Sequence, residues 1–246
     1  MPMKPCLVVD LGVIAYGRAY ELQRRLVEAR KTGAIGDVLL LCEHPSVVTL
    51  GRNGRREHLR VSGALLERMG VEFHSTDRGG DITYHGPGQV VGYPIVHLGE
   101  IRRDVVWYVR RLEEVLIRAS ADFGVVARRE SGLTGVWVDR PQGRAEKLAA
   151  IGVHFSRWVS SHGFAYNVST DLRFFDLIVP CGIADKGVTS LERLLDRPVD
   201  PEEFRRHAVR RFAEVFGFRP EPATVEELED RLERAAIEPA PLGAGS

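Results

Sequence analysis

Hydrophobic positions repeat along this chain at two spacings, one typical of helices and one typical of strands. Apolar residues three or four positions apart predict helices over 14–30, 103–123, 201–216 and 225–236. Short apolar runs predict strands over 7–11, 38–42, 47–50, 71–74, 90–96, 125–127, 135–138, 147–155 and 163–168. Because helices and strands intermix along the chain, the pattern predicts an α+β fold rather than a sandwich or a bundle.

Two shorter helices are indicated by their end signals. Residues 62–69 suit a helix that is closed by Gly70. Residues 189–195 open with Thr189 and Glu192 at capping-box spacing.

The charge balance and length narrow the class of protein. The 246 residues include 34 basic and 34 acidic side chains, so the formal net charge is zero. A dedicated nucleic-acid binder usually has a clear basic excess, so we expect no nucleic-acid partner. The hydrophobic fraction of 44% is ordinary for a globular chain, and the length suits one large domain or one with a small appendage.

Cysteine usage and apolar run length indicate a compartment. Cys6, Cys42 and Cys181 are an odd, sparse set without C-x-x-C spacing, which argues against a structural zinc site or a disulfide framework. The apolar run 6–9 is too short for a signal peptide, and no run reaches the roughly 18 residues of a membrane helix. We therefore expect a cytoplasmic protein without a membrane partner.

The tripeptide Pro180-Cys181-Gly182 is the first candidate for chemistry. A glycine beside a cysteine lets a ligand approach the backbone and frees an N–H to face a developing oxyanion. The alternative is a buried cysteine in a turn, which is common for free cysteines. Cys6 and Cys42 lie inside apolar strands, where that alternative is stronger.

Lys147 is a candidate activator because it opens an apolar strand segment. Its head is either exposed at the strand end or buried. A buried ammonium next to a thiolate lowers the pKa of the thiol, and a partly desolvated lysine can itself act as a base.

A glycine-rich block, 78–89, is the third candidate. So many glycines indicate backbone held close to something, with His85 and Gln89 available for a polar group and Arg78 to fix the loop. The alternative is a hairpin with bulges. The loop 51–56 resembles a weak phosphate loop, and its alternative is a solvated charged loop.

These motifs together resemble the bacterial octanoyltransferases of lipoate assembly, the lipoyl(octanoyl) transferases. The matching pieces occur in the family's order and cover most of residues 7–195. They are Gln23 in the first helix, 43–45, 50–52, 78–89, 147–152, 162–167 and 178–183. Departures are Leu148, Ser161 and Tyr166, of which Tyr166 is expected to reshape a pocket wall.

The resemblance implies the fold of biotin and lipoate protein ligases, a mixed sheet flanked by helices. It implies a catalytic domain over 1–220 and, where the resemblance fades, a C-terminal helical or flexible extension over 221–246. The implied reaction moves an octanoyl group from acyl carrier protein to a lysine of lipoyl domains, the acceptors being those of 2-oxoacid dehydrogenases and the glycine cleavage H protein.

The resemblance also implies roles for residues. Cys181 forms a thioester and Lys147 tunes it. The residues that line the acyl chain by this likeness are Arg78, Gly79, Gly80, Asp81, Ile82, Thr83, Tyr84, His85, Ala150, Ile151, Gly152, Gly163, Phe164 and Ala165. Exchange between thioesters is nearly isoenergetic and amine attack on a thioester is downhill, so no cofactor and no metal are expected.

Three other functions fit parts of the pattern. An ATP-dependent lipoate or biotin ligase of the same fold would use loop 51–56, although it has no use for a nucleophilic Cys181. A relay amidotransferase would differ in its octanoyl donor. A non-enzymic fatty-acid-binding module would hold the acyl chain without a covalent bond.

Overall fold

A computed structural model describes residues 3–140, 143, 145–179 and 187–237 of the chain. The strands in these ranges are β1 (Lys4–Val13), β2 (Asp37–Glu43), β3 (Val47–Leu50), β4 (Glu72–Ser75), β5 (Ile82–His85), β6 (Gln89–Ile95), β7 (Arg128–Glu130), β8 (Leu133–Asp139), β9 (Ala145–Ser156), β10 (Val159–Asn167), β11 (Gly187–Val188) and β12 (Phe218–Pro222). The α-helices are α1 (Tyr16–Lys31), α2 (Gly63–Arg68), α3 (Val105–Asp122), α4 (Leu191–Leu195), α5 (Pro201–Phe216) and α6 (Val225–Ile237). Single 3-10 turns lie at Arg56–His58 and Leu98–Glu100, and a longer 3-10 segment at Leu172–Leu177.

Most strands belong to one large mixed sheet in the order β12-β1-β2-β6-β10-β9-β8-β7. β1 pairs in parallel with β12 and β2, and the pairs from β2 across to β7 are antiparallel. The short strand β11 pairs in parallel with β9, and β4-β3-β5 form a second sheet. The predicted α+β class with a mixed sheet is confirmed.

Helices cover both faces of the large sheet. Successive β2 residues alternate between the two cores, as a strand buried on both faces requires. Leu39 and Leu41 pack with the apolar sides of α3 and α5, whereas Val38 and Leu40 pack with those of α1 and α6. The face that carries α1 also carries a cavity.

The C-terminal segment contributes to the same domain as far as it is described. The predicted boundary at residue 220 falls inside β12, which pairs with β1. Leu228 and Leu232 of α6 are buried in the core that α1 forms with the sheet. Strand pairing and burial therefore join residues 221–237 to the sheet, and residues 238–246 lie outside the described part of the chain.

Two local predictions are wrong. Residues 125–127 alternate in burial like a strand, with Val126 88% exposed between two buried neighbours, but the ladder to β8 begins only at Arg128. The N-cap of α4 is Ser190, whose hydroxyl accepts from the Arg193 N–H, rather than Thr189. The Thr189 N–H instead bonds to the Lys147 carbonyl, which extends the contact between β11 and β9.

Candidate active site

A cavity of about 200 Å³ opens on the α1 face, lined from both sheets. Its floor is made of small residues from β9 and β10. Ala150 pairs across the strands with Ala165, and Gly152 pairs with Gly163. A Cβ atom at Gly163 would lie 2.2 Å from the Gly92 carbonyl oxygen of β6, so the close approach of β6 and β10 requires glycine there. The small floor leaves room for a narrow ligand along the sheet.

A β-bulge in β9 turns Lys147 toward this cavity. Val136 of β8 pairs with Ala149, but the next residue, Trp137, pairs with Lys147, so Leu148 is the extra residue. Leu148 and Ala149 both pack into the core on the α3 face. The bulge therefore reverses the alternation and places Lys147 on the opposite face, among the residues that line the cavity.

The head of Lys147 is inside the protein. The residue is 9% exposed, and its Nζ atom lies 4.7 Å from the centre of the Trp137 ring. The sequence left open whether this lysine is exposed or buried, and the structure shows it buried beside an aromatic face that attracts cations.

Cys181, the predicted nucleophile, lies outside the described residues. On the N-terminal side of that gap, the Val179 N–H donates to the His58 carbonyl over 2.7 Å. On the C-terminal side, Gly187 and Val188 pair with Glu146 and Lys147, and Val188 lines the cavity.

The two cysteines within the described ranges are buried. Cys6 is 1% exposed and Cys42 is fully buried. Burial raises the pKa of both thiols far above the usual value. Neither is suited to be a thiolate nucleophile at neutral pH.

The block 78–85 joins the two sheets. The Arg78 guanidinium donates to the Thr49 carbonyl (2.8 Å) and hydroxyl (2.9 Å) on β3. The Gly79 N–H donates to the Val153 carbonyl of β9 over 2.9 Å. The segment therefore forms a wall of the cavity rather than a free loop.

Thirteen of the fourteen residues that the resemblance assigned to the acyl chain line this cavity. Tyr84 does not, because its side chain packs into the core of the small sheet with Val48 and Phe175. The Tyr84 ring stacks on Phe174 with centres 4.9 Å apart, and its hydroxyl lies 3.0 Å from the Ser46 hydroxyl.

His85 and Gln89 hydrogen-bond to each other. The His85 Nδ1–H donates to the Gln89 side-chain oxygen over 2.8 Å, and the Gln89 amide donates to the Asn167 side-chain oxygen over 2.9 Å. Burial lowers the pKa of His85 to about 3, so the imidazole is neutral at physiological pH. The two side chains form part of the cavity wall, and they are hydrogen-bonded to each other and to Asn167.

Tyr166 has no part in the cavity, contrary to the expectation from the sequence. Its ring stacks on Phe204 of α5 with centres 3.9 Å apart, and its hydroxyl lies 2.8 Å from the Ser120 hydroxyl. Its β10 position alternates with Ala165, so the tyrosine faces the other core.

Sequence reasoning missed three aromatic or imidazole side chains of the cavity: Tyr16, Tyr93 and His162. Tyr16 opens α1 and Tyr93 lies in the apolar strand β6, and both positions resemble ordinary core. His162 stood in a matching motif, and its left-handed backbone (φ 56°) is not visible in a sequence.

The loop at 51–60 is bound to the cavity wall through its backbone. Three of its N–H groups, of Gly51, Arg52 and Asn53, donate to carbonyl oxygens of the 78–81 segment. These donors are therefore not available to a phosphate. The side chains of Arg52, Arg55, Arg56 and Arg60 are exposed.

The loop also lies beside the segment that leads to Cys181. The Arg60 N–H donates to the Leu177 carbonyl over 2.9 Å, and Leu59 forms an isolated β-bridge with Ile178. Within the loop, the Arg56 guanidinium lies over the Phe73 ring, and Arg52 lies 3.1 Å from the His154 ring nitrogen. The arginines of α3 also have partners. Arg110 pairs with Glu113 over 2.7 Å, and the Arg111 guanidinium lies over the Trp107 ring.

No group of three or more His, Cys, Asp or Glu side chains in the described part of the chain could hold a metal ion. No helix there has the length and apolar character needed to cross a membrane.

Comparison with known proteins identifies the family. Residues 15–213 match the family described as Lipoyl protein ligase A/B catalytic domain. An octanoyltransferase of Acidobacterium capsulatum is 54% identical over 221 residues, covering 85% of this chain and 89% of that protein. The chain belongs to the octanoyltransferase family. An octanoyltransferase of Solibacter usitatus is 51% identical and covers 88% of this chain and 95% of its own length.

The fold is that of the lipoate protein ligases. A bi-partite lipoate protein ligase from Thermoplasma acidophilum superposes with a TM-score of 0.72 at 18% identity, covering 94% of this chain and 91% of that one. The family and fold predicted from the motifs are therefore confirmed.

Proposed function

We propose that this acyltransferase moves an octanoyl group from octanoyl-acyl carrier protein to a lysine of lipoyl domains, in the cytoplasm, through a thioester on Cys181. The acceptors are the lipoyl domains of 2-oxoacid dehydrogenases and the glycine cleavage H protein. No cofactor takes part in this scheme.

The observation that carries the proposal is the position of Lys147. A bulge at Leu148 turns Lys147 out of the core and into a cavity whose floor is made of alanine and glycine. β11, the first described strand after Cys181, pairs with Lys147 itself. An ammonium beside an apolar channel is suited to activating a thiol at the channel's mouth.

In the first half-reaction, the Cys181 thiolate attacks the carbonyl carbon of the octanoyl thioester. The bond to the carrier's sulfur breaks, and the carrier leaves as a thiol after taking one proton. In the second half-reaction, the neutral amine of the acceptor lysine attacks the Cys181 thioester. The C–S bond breaks, an amide forms, and the amine proton is released to the thiolate or to water. Lys147 favours the thiolate form of Cys181 in both halves.

The cavity supplies binding energy for the alkyl chain. Burying a CH₂ group contributes about 0.8 kcal/mol, so an eight-carbon chain over the floor of Ala150 and Ala165 contributes several kcal/mol. The wall 78–85, without Tyr84, is the second side of the proposed acyl site.

We assign donor recognition to the exposed arginines of the 51–60 loop. They flank both the cavity wall and residues 177–179, and acyl carrier proteins are expected to be acidic. Since the enzyme has no net charge, a local basic patch is the means of attraction.

The ATP-dependent ligase is the main alternative. The backbone of residues 51–53 disfavours it. The N–H groups that a phosphate would need are already hydrogen-bonded to the 78–81 segment. In the deciding experiment, purified enzyme and lipoyl domain are mixed with one of four additions: octanoyl-acyl carrier protein alone, octanoate with ATP, an octanoylated lipoyl protein, or octanoate alone.

Transfer with the carrier alone, measured as intact mass of the lipoyl domain, is expected. Transfer only with octanoate and ATP would establish the ligase. Transfer only from an octanoylated lipoyl protein would establish the relay amidotransferase, and tightly held but non-covalent octanoate would establish the binding module.

A further inference from the structure

The end of the cavity on the β6 side is built from rings. Tyr16 and Tyr93 line it together with His85 and His162. The Tyr16 and His85 rings are nearly parallel with centres 6.0 Å apart, and Tyr93 meets His162 edge to face at 6.5 Å. These side chains come from four different elements, so the wall exists only in the folded chain.

The polar atoms of these rings have partners. The Tyr93 hydroxyl donates to His44 Nε2 over 2.7 Å, and the His44 Nδ1–H donates to the Ile14 carbonyl. The His162 Nε2–H donates to the Asp77 carboxylate over 2.8 Å.

The Tyr16 hydroxyl also has a hydrogen-bond partner. It donates to the Thr76 hydroxyl over 3.2 Å. Burial also lowers the pKa values of His44 and His162 and raises those of Tyr16 and Tyr93, so these rings are uncharged at neutral pH. With their polar atoms bonded, the rings can offer their carbon surfaces to a ligand.

Lys147 and Tyr93 come from strands that are two positions apart in the large sheet. Lys147 is on β9 and Tyr93 is on β6, with β10 between them. Neighbouring strands lie about 4.8 Å apart, which puts β6 about 10 Å from β9. Ala150, Ala165 and Val91 form a cross-strand row over this span.

The row ends at Val91, and Tyr93 lies two residues further along β6 on the same face. An alkyl chain that crosses the row from the β9 side therefore approaches the end of the cavity that the rings line.

We propose that Tyr16 and Tyr93 are specificity-determining residues that close this end of the cavity and limit the length of the acyl chain. The inference rests on the proposed function, which supplies the acyl donor. Tyr16 is the adjustable part of the wall because it comes from the first turn of α1. Tyr93, in contrast, lies in the middle of the large sheet and holds His44.

The test measures acylation of the enzyme by octanoyl-, decanoyl- and dodecanoyl-acyl carrier proteins, followed by intact mass. The variants are Tyr16→Ala, Tyr16→Phe and Tyr20→Ala. Tyr20 is on the same helix one turn later, but it does not line the cavity. Tyr16→Leu replaces Tyr16→Ala if the alanine variant does not fold.

Removing the Tyr16 ring is expected to raise the rate ratio of decanoyl to octanoyl by about tenfold, since two more CH₂ groups are buried. Tyr16→Phe and Tyr20→Ala are expected to keep the wild-type ratio. An unchanged ratio in folded Tyr16→Ala, or an equal rise in Tyr20→Ala, would overturn the assignment.

Affinities of the same variants for free octanoate and decanoate, measured by calorimetry, separate this inference from the proposed function. If the wild type is not acylated by any donor, the proposed function fails. The wall is then still judged by whether Tyr16→Ala gains affinity for decanoate relative to octanoate.

Discussion

The Nζ atom of Lys147 lies 4.7 Å from the centre of the Trp137 ring, and these two residues are also paired across β9 and β8. The pairing exists because Leu148 bulges out of the ladder between Lys147 and Ala149. A cation over an indole face is attracted by the ring, by about 2 kcal/mol when desolvated. The ring therefore helps to hold the lysine head at a fixed place in the cavity, which suits a residue that acts on a neighbouring thiol.

We predict that Lys147→Ala slows alkylation of Cys181 by iodoacetamide at neutral pH. Loss of a nearby ammonium removes stabilisation of the thiolate, so the pH profile of alkylation is expected to move upward by about one unit. Cys6 and Cys42 are buried and contribute little to the signal. Lys31→Ala, at the end of α1, is the control. An unchanged profile in Lys147→Ala would remove this lysine from the mechanism.

The close contact of β8 and β9 beside the bulge is expected to need glycine at position 135. Its φ is 126°, and a Cβ atom there would lie 2.6 Å from the Ala149 carbonyl oxygen and 3.6 Å from Lys147 Cε. We predict that Gly135→Ala lowers the free energy of unfolding by about 1–3 kcal/mol and reduces transfer in the folded enzyme.

Gly70→Ala is the matched control, because Gly70 also has a positive φ (66°) but no atom near its Cβ position. We expect it to lower stability without changing transfer per folded molecule. Equal transfer in both variants would show that the packing at Gly135 does not position Lys147.

Stability should fall in mild acid because His85 is buried in its neutral form. The unfolded chain protonates this residue below about pH 6.5, whereas the folded chain does so only near pH 3. The contribution of His85 is therefore fully present above pH 6.5 and is lost as the pH falls, by about 1.4 kcal/mol per unit.

Urea denaturation at pH 7.5 and pH 5.0 measures this loss. Between these values, His85→Asn is expected to lose about 2 kcal/mol less stability than the wild type. An equal loss in both proteins would show that His85 does not control the acid limit.

Reversal of Arg55 and Arg56 to Glu is predicted to raise the KM for octanoyl-acyl carrier protein and to reduce its salt sensitivity. A small octanoyl thioester should be little affected, because it does not use a docking surface. The control reverses Arg103 and Arg206, two exposed residues on the side of the sheet that α3 and α5 cover. Equal losses with both donors would mean that the loop serves the chemistry or the fold.

The sequence predicted the large elements well because their hydrophobic periods were long. The helix at 201–216 was predicted with the bounds that α5 has. Strand β5 was not recognised, because it has only four residues and comes directly after a glycine-rich run. The strand Phe218–Pro222 was missed because it contains two prolines and charged residues, which an edge strand tolerates.

The sequence predicted the residues of the candidate site only where a motif contains them. Lys147 was identified from its place at the start of an apolar segment, but the bulge that aims it depends on the register between β8 and β9. Tyr84 was assigned to the acyl site because a contiguous motif does not show which of its side chains face the cavity. Tyr16 and His162 both line the cavity although they are far apart in sequence, and no local pattern shows that two such distant residues share a site.

The central claim, a thioester on Cys181, is tested most directly by intact mass of the enzyme after mixing with octanoyl-acyl carrier protein in the absence of acceptor. We predict that the wild type gains the mass of one octanoyl group, that hydroxylamine or added lipoyl domain removes it, and that Cys181→Ala gains nothing. A Cys181→Ala enzyme that still transfers octanoyl at the wild-type rate would contradict the account.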